Sequence, residues 1–136
     1  MRTLVESVTE RIKARTPYKA YFGEVTGTPQ YPYVLLWASP GALETNTLDG
    51  VRDLADRLGV TMVATTGLGV LNVAQHVRTA LAGFTPASDQ WLMEAFRPPF
   101  DSQPVERDRD VSLPNYGYPF FAVDLYRLNG IRKPPE

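Results

Sequence analysis

The sequence predicts an α+β fold: a small mixed or antiparallel β-sheet, two main helices packed on one of its faces, and long loops at the rim. Three observations predict it. Residues 3–14 and 69–82 repeat apolar side chains at helical spacing. Residues 33–38, 60–66 and 118–128 are short β-branched and aromatic runs. Twelve prolines and ten glycines divide the remainder into turns and irregular segments. A chain of 136 residues is long enough for one core, and residues 1–136 read as a single domain.

In the first helix, Leu4, Val5, Val8 and Ile12 form an apolar stripe, with Glu6, Glu10, Arg11 and Lys13 towards water. Thr3 and Glu6 have the spacing of a capping box, and Thr16-Pro17 ends the helix because a residue before proline is pushed out of the α region. "AYFGEV" is a short strand, and "TGTPQYP" is a turn. "YVLLWA" (33–38) carries apolar side chains at both parities: Tyr33, Leu35 and Trp37 on one face, Val34, Leu36 and Ala38 on the other. Burial of both faces implies a central strand or a subunit contact on the outer face. "SPGALETNTLDG" reads as a loop, and residues 51–58 fit either a helix or the twisted start of the next strand.

The second helix places Val70, Val73, Ala74, Val77, Ala80 and Leu81 on one face, with Asn72, Gln75, His76, Arg78 and Thr79 on the other. Gly83 stands at the position of a left-handed cap. "WLMEAF" (91–96) reads as a strand. Pro98, Pro99, Pro104 and Pro114 make 97–117 a long loop, expected to gain order only in an assembly, with a brief strand near Val111. "YPFFAVDLYRL" (118–128) is the most strongly β segment.

Fourteen Lys+Arg against fifteen Asp+Glu leave a net charge of −1, without the basic excess of a protein that grips nucleic acid. Cysteine is absent, which excludes disulfides, thiolate catalysis and Cys-based zinc sites. The N-terminus has no uninterrupted apolar run of the signal-peptide kind, and no stretch nears the roughly 20 apolar residues of a membrane span. A soluble protein without membrane contact is expected.

"TGLGVLN" (66–72) enters its helix as a phosphate-cradling loop would. Yet Asn72 occupies the third glycine position of a dinucleotide fingerprint, and the Lys-Ser/Thr of a Walker loop is missing. The loop is expected to turn the chain, capped by Thr65 or Thr66. His76, the single histidine, has no carboxylate at i±3 or i±4 and reads as solvated or interfacial. Asp124 lies in an apolar strand on the same face as Tyr126. A general base there is possible in principle, but an ion-paired or hydrogen-bonded sheet residue is the favoured reading. "ERDRD" (Glu106, Arg107, Asp108, Arg109, Asp110) is either a solvated loop or a rim of salt bridges to a partner. No catalytic, cofactor-binding or metal-ligating residues are expected, and no cofactor. Tyr33, Leu35 and Trp37 join residues 106–110 as candidate interface residues.

The segments "TPQYPYVLLWAS" (28–39), "LGVTMVATTGLGVLNVAQHVRTALAG" (58–83) and "YPFFAVDLYRL" (118–128) together resemble the tail terminator proteins of long-tailed phages. The resemblance leaves out residues 40–57 and 97–115. It implies a domain assembled as a six-fold homo-oligomeric ring that caps the tail tube, ends its growth and joins tail to head. The implied partners are further copies of the chain, the tail tube protein and a head-completion or connector protein, with DNA only in passage through the channel. The implied place is the virion, at the tail–head junction, after synthesis in the cytoplasm of a host bacterium. Two alternatives stay open: a small α+β ligand-binding or enzymatic domain with a pocket near Asp124 and Tyr126, and another head–tail connector or tail subunit.

Overall fold

The computed structural model describes residues 2–25, 27–38, 43–46, 51–113 and 117–133. In chain order these form α1 (Arg2–Arg15), β1 (Lys19–Phe22), β2 (Tyr33–Ala38), β3 (Leu43–Asn46), β4 (Val51–Ala64), α2 (Gly67–Leu81), β5 (Trp91–Met93), β6 (Asp101–Ser102), β7 (Glu106–Arg107) and β8 (Phe120–Arg132). Two long strands carry the sheet. β4 and β8 pair antiparallel from Leu54↔Gly130 to Ala64↔Phe120. β2 lies antiparallel on the other side of β4, and β1 adds to it in parallel, so the sheet is mixed. β3 folds back on the start of β4. The free edge of β8 is covered piecewise by β5, β6 and β7. The expected α+β class, with a mixed sheet and two helices, is the one observed.

Alternation along the strands separates the faces. Val34 and Leu36 of β2, Leu54, Leu58, Val60 and Met62 of β4, and Ala122, Tyr126 and Leu128 of β8 point inward. They meet Leu4, Val8 and Ile12 of α1 and Val70, Val73, Val77 and Leu81 of α2 in one core cluster. Arg11 ties the helices together: its Nε donates to the Ala80 carbonyl at 2.9 Å and its guanidinium lies 4.9 Å from the Phe84 ring centre.

Several local expectations change. Residues 51–58 are strand: Leu54, Asp56 and Leu58 are buried in one alternating row that continues through Val60 and Met62. A charged residue at an inward position hid this period from the sequence. Residues 43–46, expected in a loop, form β3; residues 39–42 and 47–50 lie outside those described. β5 stops at Met93: Glu94 N still donates to the Asn129 carbonyl of β8 at 2.9 Å, and the chain then turns away so that Phe96 N donates to the Phe84 carbonyl and its ring meets Tyr126 edge-on at 5.5 Å. Thr3 sits inside the first turn of α1, and its hydroxyl accepts from the Asp89 N–H at 3.3 Å. Gly83 follows α2 at φ +70°, as its position after the helix predicts.

Candidate assembly surface

Both helices cover the inner face of the sheet, and Tyr33, Leu35 and Trp37 stand on the other. Cross-strand register extends them into three rows: Tyr33–Val63–Phe121, Leu35–Thr61–Val123 and Trp37–Gly59–Leu125. Trp37 lies flat across its row. A Cβ placed on Gly59 would come within 2.0 Å of the indole, so only glycine admits the ring there. The indole Nε1 donates to Thr61 Oγ1 at 3.1 Å, and 40% of the residue remains exposed. The glycine inside a β-branched run was the sequence signal for this close approach.

Residues 97–113 do not stand apart from the fold. They run along β8 and borrow its edge: Phe100 N donates to the Leu125 carbonyl at 2.9 Å, Gln103 N to Val123 at 2.8 Å, and Asp108 N to Pro119 at 2.8 Å. The prolines are compatible with this because only alternate residues face the edge. The expectation that this segment orders only in an assembly is therefore corrected, since its ordering partner is β8 of the same chain. A single bridge, Leu113↔Gly117, stands in place of the expected strand near Val111. Pro114 lies outside the described residues.

The arm brings two parts of the predicted interface together. β7 pairs Glu106 with Phe121, in the same row as Tyr33. Burial, reinforced by the Asp108 charge, raises the Tyr31 hydroxyl above its ordinary pKa; for Tyr33, burial acts with neighbouring Tyr31, Asp108 and Tyr21. Arg107 turns away and lies 5.0 Å from the Phe120 ring centre. Glu106, Arg109 and Asp110 are exposed.

Asp124 is fully buried and ion-paired. Arg78 of α2 grips it with two prongs, Nε on Oδ2 and Nη2 on Oδ1, both at 2.8 Å. The same Nη2 donates to Ser102 Oγ at 2.8 Å, and Ser102 Oγ donates to Asp124 Oδ1 at 2.5 Å. Helix, sheet and arm thus meet at one carboxylate. The hydrogen bonds to Asp124 hold the Arg78 guanidinium above its ordinary pKa, against the opposing effect of burial. Two open grooves flank the bridge between α2 and the arm. One of about 570 Å³ is lined by Leu71, Ala74 and Val105, and one of about 680 Å³ by Phe96, Pro98 and Tyr126. The Tyr126 hydroxyl has no hydrogen-bond partner among the described residues, and burial, with the Asp124 charge, raises its pKa well above the tyrosine range.

At the glycine turn, Thr66 is the N-cap, and its Oγ1 accepts from the Gly69 N–H at 2.9 Å. A Cβ on Gly69 would stand 3.0 Å from both Ala64 Cβ and Thr66 Oγ1. This glycine therefore has a packing reason, and the N–H it could offer a phosphate is already taken. His76 is exposed on α2, with Nδ1 2.8 Å from the Asn72 carbonyl and its ring edge-on to Tyr18 at 5.4 Å. Among the described residues no three His, Cys, Asp or Glu side chains are grouped as metal ligands would be, and no helix is long and apolar enough to cross a membrane.

These features define an α+β fold with one helix-covered face and one open aromatic face bordered by a charged arm. No protein-family model and no curated protein sequence matches the chain. Its fold is similar to that of a chain in the solved virion of a native gene transfer agent particle, with a TM-score of 0.64, 10% identity, and 96% of each chain covered. At that identity the likeness is one of fold.

Proposed function

We propose that this protein is a virion structural subunit that closes into a six-fold ring on the end of a phage-type tail tube, stops its growth and joins it to the head. The observation that carries the reading is the whole-length likeness to a virion chain, which spans 96% of both chains. The resemblance of residues 28–39, 58–83 and 118–128 to tail terminators supports the same role from an independent direction. Its partners are then copies of itself, the tube protein and a head-completion protein, and its place is the tail–head junction. A net charge of −1 suits a channel through which DNA passes without being held.

The rival pocket chemistry finds little support at Asp124, whose oxygens are engaged by Arg78 and Ser102. No catalytic role is assigned to it. Electron microscopy of the purified protein, alone at high concentration and with added tail tubes, tests the proposal. Rings with a central hole, or tubes capped at one end, are expected. Only monomers and uncapped tubes under both conditions would overturn it.

A further inference from the structure

α2 opens with two leucines that the core does not use. Leu68 and Leu71 are 70% and 57% exposed, and with Gln75 and Arg78 they follow helical spacing along one ridge of the helix. Beside the ridge runs the groove of about 570 Å³ between α2 and the arm, with Ala74 and Val105 in its wall. The ridge starts against Phe120: a Cβ placed on Gly67 would stand 3.8 Å from Val105 and 3.9 Å from the Phe120 ring. Arg107 packs on that same ring, is exposed, and forms no ion pair among the described residues. Asp124, the acid in the wall of the groove, is already taken by Arg78. This corner of the helix side is apolar and carries an unpaired guanidinium.

Behind it, through the sheet, stands a corner of the complementary kind. Neighbouring residues of a strand point to opposite faces, so the inward pair Phe120↔Arg107 backs on to the outward pair Phe121↔Glu106. Glu106 ends the Tyr33–Val63–Phe121 row, and Leu35 and Trp37 continue the apolar surface beside it. Asp108 is near enough to act on the Tyr31 and Tyr33 hydroxyls. The other charges of this face stand farther off. Lys19 closes the Tyr33 row at the β1 edge, four strand spacings from Glu106, or roughly 19 Å. Asp101 stands in the Leu125 row, and the Arg57–Arg127 step lies one row beyond it.

A copy moved along the sheet normal would therefore lay its leucine ridge and Arg107 over the aromatic corner and Glu106 of the copy in front. Aromatic residues and arginine are the usual anchors of such contacts. We infer that Leu68 and Leu71 of one copy pack on the Tyr33–Trp37 face of a second copy, with Arg107 of the first paired to Glu106 of the second. Ridge and face lie on opposite sides of the sheet, so each copy offers them to different neighbours. The contact is head-to-tail, and a head-to-tail contact that turns at each step closes into a ring. The inference rests on the ring reading and gives it a specific contact.

Two full-length variants, each broken on one side, test it. The ridge variant carries Leu68→Asp and Leu71→Glu, at exposed positions near the start of α2 where acids suit the helix dipole. The face variant carries Trp37→Ser and Glu106→Lys. By sedimentation velocity the wild type should self-associate, and each variant alone should associate at least roughly tenfold more weakly. Mixed one to one, they should form a dimer and grow no further. The intact face of the ridge variant meets the intact ridge of the face variant, and both remaining patches are broken. Arg107→Glu and Glu106→Lys, single changes at exposed positions, leave the core untouched; each should weaken association, and mixing the two should restore it. A ridge variant that associates as the wild type does, or mixtures that stay monomeric, would overturn the inference while leaving the ring reading to microscopy. A wild type that stays monomeric at high concentration would also overturn it, and capping of tubes then decides the ring reading separately.

Discussion

Arg78 and Asp124, 46 residues apart in the chain, form a two-pronged ion pair in which the carboxylate is fully buried and the guanidinium half exposed. The geometry matches a planar fork to a planar carboxylate, the form of ion pair with the best-defined orientation. Ser102 joins the pair, so α2, β8 and the arm share one electrostatic fastening.

Arg78→Ala leaves Asp124 buried with Ser102 as its remaining partner. Removing one member of a buried pair costs about 3 kcal/mol or more. Urea unfolding should show that loss, and hydrogen exchange at Gln103 should quicken as the arm loosens. Asp124→Asn keeps an acceptor without the charge and should cost less. Equal stability of Arg78→Ala and wild type would mean that the pair contributes nothing.

Thr66→Ala should cost about 1 kcal/mol, the usual effect of losing an N-cap hydroxyl. Thr65→Ala, one residue outside the observed cap bond, should be nearly silent. Thermal melts of the two variants distinguish them, and the opposite ranking would reject the cap assignment.

Gly59→Ala forces the Trp37 indole off the sheet, since the added Cβ overlaps the ring. Trp37 fluorescence, measured in a background with Trp91 replaced by Phe, should shift to the red as the indole gains water. Self-association should weaken with the displaced anchor. An unshifted spectrum would show that the ring does not lie on Gly59 in solution.

Tyr126→Phe removes a buried hydroxyl with no partner among the described residues, and should stabilise the protein by about 1 kcal/mol. The same residue gives a pH signature. Its folded-state pKa is raised, so its share of stability is complete below the unfolded value, about 10, and is lost as pH rises above that. The melting temperature should therefore fall on the alkaline side, less steeply in Tyr126→Phe. Tyr31 and Tyr33, also raised, contribute a remaining slope. Identical alkaline slopes in both proteins would count against a buried, neutral Tyr126.

The sequence by itself determined the elements whose signal is local. The buried side of α2 is the predicted stripe, Val70, Val73, Ala74, Val77, Ala80 and Leu81, because a helix presents every third or fourth residue to one side wherever it is placed. The alternation in 33–38 likewise separated Val34 and Leu36 from Tyr33, Leu35 and Trp37 before any partner strand was known. The absence of cysteine and the broken phosphate-loop pattern were also legible, since chemistry of that kind requires particular atoms.

Only the tertiary structure decided what depends on residues far apart in the chain. Strand identity at 51–58 came from pairing with β3 and β8, because an inward Asp56 obscured the local period. The proline-rich arm gained order from the edge of β8, a set of donors and acceptors that its own composition cannot reveal. The Arg78–Asp124 pair, the Trp37–Gly59 contact and the Arg57–Arg127 step are all matters of register and packing. Their physical reason is common: local propensity acts through near neighbours in sequence, whereas a buried charge or a cross-strand pair is defined by which distant atoms the folded backbone brings within a few ångströms.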